Sequence, residues 1–96
     1  MPELRFQIRW PDGTLESCYS PSRVVKDHLR AGESYALLDF MNISRTALSA
    51  ASERVREKYG APCSLALGQI ARLETASRAF ADRADAHVTI ESFQDC

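Results

Sequence analysis

At 96 residues the chain has about the size of one domain, so a single domain over residues 1–96 is expected, with one modest core. A hydrophobic fraction of 45% and a charged fraction of 26% exclude a largely disordered chain. Twelve Lys and Arg oppose thirteen Asp and Glu, and the net charge of -1 supplies no field that would gather nucleic acid or an anionic membrane at long range.

Leu4, Phe6, Ile8 and Trp10 alternate with Arg5, Gln7 and Arg9, the period-two pattern of a half-buried strand. Pro11-Asp12-Gly13 is a turn: Pro presets φ, Asp caps, and Gly accepts positive φ. Thr14–Tyr19 is the returning strand. Two registers fit this turn. A type I turn with a glycine bulge sets Phe6 opposite Cys18, whereas a two-residue Asp-Gly turn sets Phe6 opposite Tyr19. The Pro-Asp-Gly order favours the first and the Leu15/Tyr19 alternation the second.

Ser20-Pro21 is a helix-start signal, because Ser can accept an orphan N–H and Pro suits the first helical position. Val24, Val25, His28 and Leu29 share one side of the short helix that follows, and Gly32 ends it. From about Leu37 to Tyr59, Leu37, Met41, Ser44, Leu48, Ala51, Val55 and Tyr59 recur at three- and four-residue steps. They predict a long amphipathic helix with a narrow apolar stripe. Arg56 and Lys58 suit the negative end of its dipole, and Gly60 stops it. Pro62 opens another helix, with Cys63, Ala66, Ile70, Leu73, Ser77 and Phe80 along one side. The short link makes the two helices an antiparallel pair. His87–Glu91 alternates again as a final strand. The expected fold is α+β in the order β-β-α-α-α-β. The N-terminal hairpin and the C-terminal strand share one small sheet, and the helices pack on one face.

The sequence holds no catalytic constellation. Cys18, Cys63 and Cys96 include no close pair, which argues for reduced thiols rather than a secreted disulfide framework. No Cys-x-x-Cys spacing and no His pair at helical spacing point to a metal. The four glycines stand apart, so there is no phosphate loop or dinucleotide fingerprint, and no cofactor is expected. Met1–Trp10 lacks the apolar run of a signal peptide, and no stretch approaches a membrane span, so the cytoplasm is the expected location. The short junction between the two long helices invites a helix-turn-helix reading. The segment after Pro62 is too apolar and small to read bases, so nucleic acid is not expected as a partner.

Binding residues are expected where aromatic and charged side chains gather at element junctions: Tyr19, Ser20 and Arg23 after the second strand, Arg45, Arg54 and Tyr59 on the long helix, and Cys63 at the start of the next. Tyrosines at such places line interfaces or close the rim of a small core. Arginines there can grip an anion, although Glu53 and Glu57 interleave with Arg54, Arg56 and Lys58 and give the plainer reading of a solvated face. Cys63 near a helix start can serve as a thiolate nucleophile, or simply fill the helix stripe as a small buried residue. Cys96 is expected to be frayed.

Taken in order, Met1-Pro2-Glu3, Arg9-Trp10-Pro11-Asp12-Gly13, Cys18-Tyr19-Ser20-Pro21-Ser22, Ala51-Ser52-Glu53-Arg54-Val55-Arg56-Glu57-Lys58-Tyr59-Gly60 and Cys63-Ser64 resemble a family of small bacterial nitrogen starvation response proteins. The resemblance spans roughly residues 1–75 and leaves Arg78–Cys96 unmatched. It implies a gene cluster that also encodes a nitrilase, a radical-SAM protein, an acetyltransferase-like protein and a flavin-dependent oxidoreductase. It carries over no reaction and no residue role. The chain is too short to be a nitrilase itself. The resemblance implies a bacterial cytosolic accessory protein of a nitrogen-related pathway, linked to nitrile or cyanide use, and the missing catalytic constellation with charged and aromatic residues at element junctions favours a non-catalytic binding module. Such a protein would dock on an enzyme of the cluster or hold a small ligand. Two other readings are a small enzyme or thiol carrier using Cys63, and a structural homodimer joined through strand edges or the small-residue helix.

Overall fold

A computed structural model describes residues 3–95. The expectation that Cys96 is frayed lies outside them. Strands β1 (Leu4–Arg9), β2 (Leu15–Ser20), β3 (Ser34–Ala36) and β4 (His87–Asp95) form one sheet in the order β2-β1-β4-β3, and every neighbouring pair is antiparallel. Helices α1 (Leu37–Tyr59) and α2 (Ser64–Ser77) cover one face. The fold is the expected α+β arrangement, with the hairpin and the last strand in one sheet.

The hairpin register is the bulged one. Gly13 N–H donates to Trp10 O at 2.8 Å and Trp10 N–H donates to Thr14 O at 2.8 Å, and Phe6 faces Cys18. Gly13 takes φ +89°, which a bulge glycine adopts without a Cβ penalty. Asp12 Oδ1 accepts from Thr14 N–H, a contact that holds its carboxyl below the usual range. This register decides the faces of β2. Cys18 and Ser20 point into the core, while Leu15 is largely exposed and Tyr19 half-buried. β1 and β4 are the central strands. Their register shifts between Gln7 and Ile8, leaving Glu91 as the extra residue of a bulge, ion-paired to Arg9 at 3.3 Å.

Between β2 and β3 the predicted helix is a 3-10 helix, Arg23–Asp27. Its N-cap is Ser22, whose hydroxyl accepts from Val24 N–H, and not Ser20. Ser20 is fully buried, and its hydroxyl spans the Pro21 corner, donating to Ser22 O at 2.6 Å and accepting from Ser22 N–H. Val25 and Leu29 enter the core, as the apolar spacing requires. Beyond Gly32 the chain pairs with β4, adding β3, an edge strand too short to leave a period-two signal.

α1 spans the predicted residues. It buries Phe40, Met41, Ser44, Ala47, Leu48, Ala51 and Ser52, and then runs on for two turns with only Val55 half-buried. Gly60 ends it at φ +83°, and its N–H returns to Arg56 O. α2 buries Ala66 and Leu73, with Ile70 packed against the core. Arg45 pairs with Glu74 and Ser52 meets Cys63, so position falls along α2 as it rises along α1, and the two helices are antiparallel. A second 3-10 helix, Arg78–Phe80, follows α2 and inserts Phe80 against Trp10, with ring planes 18° apart and centroids at 5.7 Å. Phe40 meets Trp10 edge-on at 6.0 Å. The Trp10 indole N–H donates to Glu16, whose other oxygen accepts from Arg72 of α2. One buried tryptophan thereby ties hairpin, α1 and α2 together.

Candidate functional site

Three of the seven residues expected to bind share one place, and the other four do not join them. Tyr19, Tyr59 and Cys63 come together. With Glu3, Pro21 and Val55 they line a notch of about 200 Å³ where the end of β2 meets the turn between α1 and α2. Local sequence builds each wall. The bulged hairpin turns Tyr19 away from the core, and Gly60 ends α1 so that Tyr59 projects, 64% exposed. Pro62 and the N-cap position hold Cys63 half-buried, its N–H donating to Ser52 Oγ at 3.1 Å.

The Tyr19 hydroxyl donates to Glu3 Oε1 at 3.2 Å. It is pushed up to about 12, first by burial, then by the Glu3 carboxylate and the nearby Cys63 thiol. Tyr19 therefore stays a neutral donor at physiological pH. Its ring carries the Arg5 guanidinium on a face, 5.9 Å from the centroid. Its backbone N–H, which would otherwise be an open donor on the outer edge of β2, is taken by Gln69 Oε1 of α2 at 2.9 Å. The sheet edge is closed there by a side chain rather than by another strand.

The charged candidates lie elsewhere. Arg23 pairs with Asp95 at 3.5 Å on the surface. Arg54 borders a shallow cleft shared with Glu53, Glu57 and Lys58, a surface of mixed sign. Arg45 pairs with Glu74 at 3.2 Å, at the far end of the helix pair from Tyr59. The arginines of the long helix thus form no single anion grip. Ser20 is fully buried and its hydroxyl is committed to Ser22 at the Pro21 corner. Among the described residues no group of three His, Cys, Asp or Glu could hold a metal ion, and no helix is long and apolar enough to cross a membrane.

Sequence reading missed Glu3 and Gln69, whose roles depend on contacts across the fold. It also passed over Leu38, 78% exposed at the start of α1. Leu38 had left a signal, being a large apolar residue off the helix stripe.

Fold and notch together define a small antiparallel sheet, half-covered by a helix pair, that offers a shallow aromatic recess at one end. The chain belongs to the family described as nitrogen starvation-induced protein NitG, whose sequence model matches residues 5–93. The match runs through the C-terminal segment that the sequence motifs had left unassigned. No curated protein and no solved structure matches the chain significantly.

Proposed function

We propose that this nitrogen starvation-related protein is a bacterial cytoplasmic accessory module. It acts by docking on an enzyme encoded in the same gene cluster, through the notch at Tyr19, Tyr59 and Cys63. The observation that carries this reading is the convergence of these three side chains from β2, the end of α1 and the start of α2. At about 200 Å³ the notch is smaller than the roughly 300–1,000 Å³ of small-molecule sites, and it suits one inserted side chain of a protein partner. Tyr59, which lines the notch, is about two-thirds open to solvent, as is Leu65 on the first turn of α2. Tyrosine is a favoured anchor at interfaces because it buries a rigid ring while keeping a polar tip.

The test is co-purification of the chain with each enzyme of its cluster, the nitrilase first. Wild type should retain one of them and Tyr59→Ala should lose it while melting at the same temperature. Retention of none of them, or equal retention by the variant, would count against docking through the notch.

A second reading, a small enzyme or thiol carrier, draws on the Tyr19 hydroxyl beside Cys63. A neutral phenol can donate to a thiolate or to an oxygen formed on a thioester. Modification of native Cys63 by a thiol reagent no faster than a half-buried thiol would remove that reading. A homodimer is the third, and light scattering decides it.

A further inference from the structure

The opposite end of the helix pair carries a second cavity, larger and of different chemistry. It measures about 390 Å³, within the range of small-molecule sites. Its walls are apolar: Leu37, Leu38 and Met41 from α1, and Ala81, Ala84 and Ala86 from the segment that leads to β4. Three arginines, Arg45, Arg78 and Arg83, are also among its lining residues. Met41 and Val55 stand fourteen positions apart on α1, so this cavity and the notch are about 20 Å apart at 1.5 Å per residue.

The positive charge here is not fully spent. Arg45 uses Nε on Glu74 and Nη1 on Asn42, leaving Nη2 without a hydrogen bond among the described residues. Neither Arg78 nor Arg83 forms an ion pair among the described residues. Arg83 lies over the Phe80 ring at 5.3 Å, which holds it against an apolar support. No acidic side chain lines the cavity, although Glu74 pairs with Arg45 and Arg83 lies near enough to Asp12 to help lower its carboxyl, which leaves Arg78 as the least committed of the three. At the first turn of α1 no side chain caps the helix, but Leu37 N–H donates to Ala86 O at 3.0 Å and Asp39 offsets the dipole, so the positive character of the cavity rests on its arginines. Leu38 completes the picture as a large aliphatic side chain left in water beside the cavity it lines. Apolar walls with a few convergent donors of one sign recognise an anion that carries an apolar body.

We propose that this cavity binds a small monocarboxylic acid. Its carboxylate would sit against Arg78 and Arg83, and its hydrocarbon body over Leu37, Leu38 and Met41. A carboxylate matches the planar guanidinium fork and, unlike a bulk anion, brings the apolar surface that covers Leu38. This site is independent of the docking notch, and either can fail without the other.

The probe is octanoate, added to the isotopically labelled full-length protein and followed by amide chemical shifts. Shifts should cluster at residues 37–45 and 77–86 and leave Tyr19, Tyr59 and Cys63 unmoved. Octylammonium, with the same body and opposite charge, should bind at least about tenfold more weakly, and acetate should not saturate. The doubly substituted Arg78→Gln/Arg83→Gln protein should lose about tenfold in octanoate affinity, and Leu38→Gln severalfold. Both substitutions replace side chains without ion-pair partners or deep burial, and an unchanged melting temperature checks that they fold. The proposal is overturned by shifts that map elsewhere, by equal binding of octylammonium, or by undiminished affinity in the double variant. Tighter binding of octyl phosphate than of octanoate would overturn the choice of a carboxylate. The octylammonium comparison uses wild-type protein alone and decides the matter even where a variant unfolds.

Discussion

The two ends of the helix pair are built on different physics. At the end where α1 begins, the helix rests on the sheet, and Phe40, Trp10 and Phe80 lock it to the hairpin and to the segment after α2. At the end where α1 stops, residues 53–60 carry a single half-buried apolar side chain, Val55, and are otherwise exposed. The first end is held by packing, and its free surface is apolar with spare positive charge. The second is held by backbone devices: a left-handed glycine, a proline, and a serine hydroxyl that receives the Cys63 N–H. A recess held by packing keeps its shape only while the core is intact. A recess held by turn geometry is sensitive to single backbone substitutions and insensitive to the core.

Substitution should separate the two ends most sharply through burial. Phe80→Ala removes a buried ring stacked on Trp10 and should cost about 3–5 kcal/mol in urea denaturation. Tyr59→Ala should cost within about 0.5 kcal/mol, since most of its surface already meets water. Comparable losses at the two positions would break the comparison.

The two described thiols should sharpen it next. Cys18 is fully buried in the core, and burial, helped by Glu16, pushes its thiol up to about 12 from an ordinary 9. Its ionisation is thus harder in the folded than in the unfolded chain. The stability it contributes is intact below pH 9 and lost as pH rises from about 9 toward 12. Cys18→Ala should flatten that alkaline decline, measured by denaturation at successive pH values. In a Cys96→Ser background, native protein should expose one titratable thiol, Cys63, to a thiol reagent, and a second only on unfolding. Two accessible thiols in the native state would contradict the core assignment.

Glycines give the smallest effects. Gly60 holds φ +83°, so Gly60→Ala should cost about 1 kcal/mol through left-handed strain and should also loosen the notch. Gly68 is helical, and a Cβ there meets nothing within 4 Å, so Gly68→Ala should add about 0.5–1 kcal/mol. Opposite signs in the melting temperatures of these two variants are the expected result.

Much of this architecture was legible in the residues, and the boundary of legibility has a physical cause. Alternation in Leu4–Trp10 and His87–Glu91, and the three- and four-residue steps from Leu37 to Tyr59, are periods that burial imposes on local geometry. They could be read without knowing what lies opposite. The hairpin register could not. Leu15 and Cys18 are both apolar enough to face inward, and the choice fell to the glycine bulge. Part of the candidate site was equally visible. Tyr19, Tyr59 and Cys63 stood out as aromatic or reactive residues at junctions, and they do share a recess. Arg45 and Arg54 stood out for the same reason and lie in different places, because α1 is long enough to carry them to different neighbours.

By itself the sequence determined the two central strands, both long helices, their antiparallel pairing and the α+β class, since each follows from a local period of burial or from the length of the link between neighbouring elements. Tertiary structure alone decided the strand order β2-β1-β4-β3, the closing of the β2 edge by Gln69, and the gathering of Leu38, Arg78 and Arg83 around one cavity. Each of these joins residues tens of positions apart, and no local period records which distant side chain will share a wall.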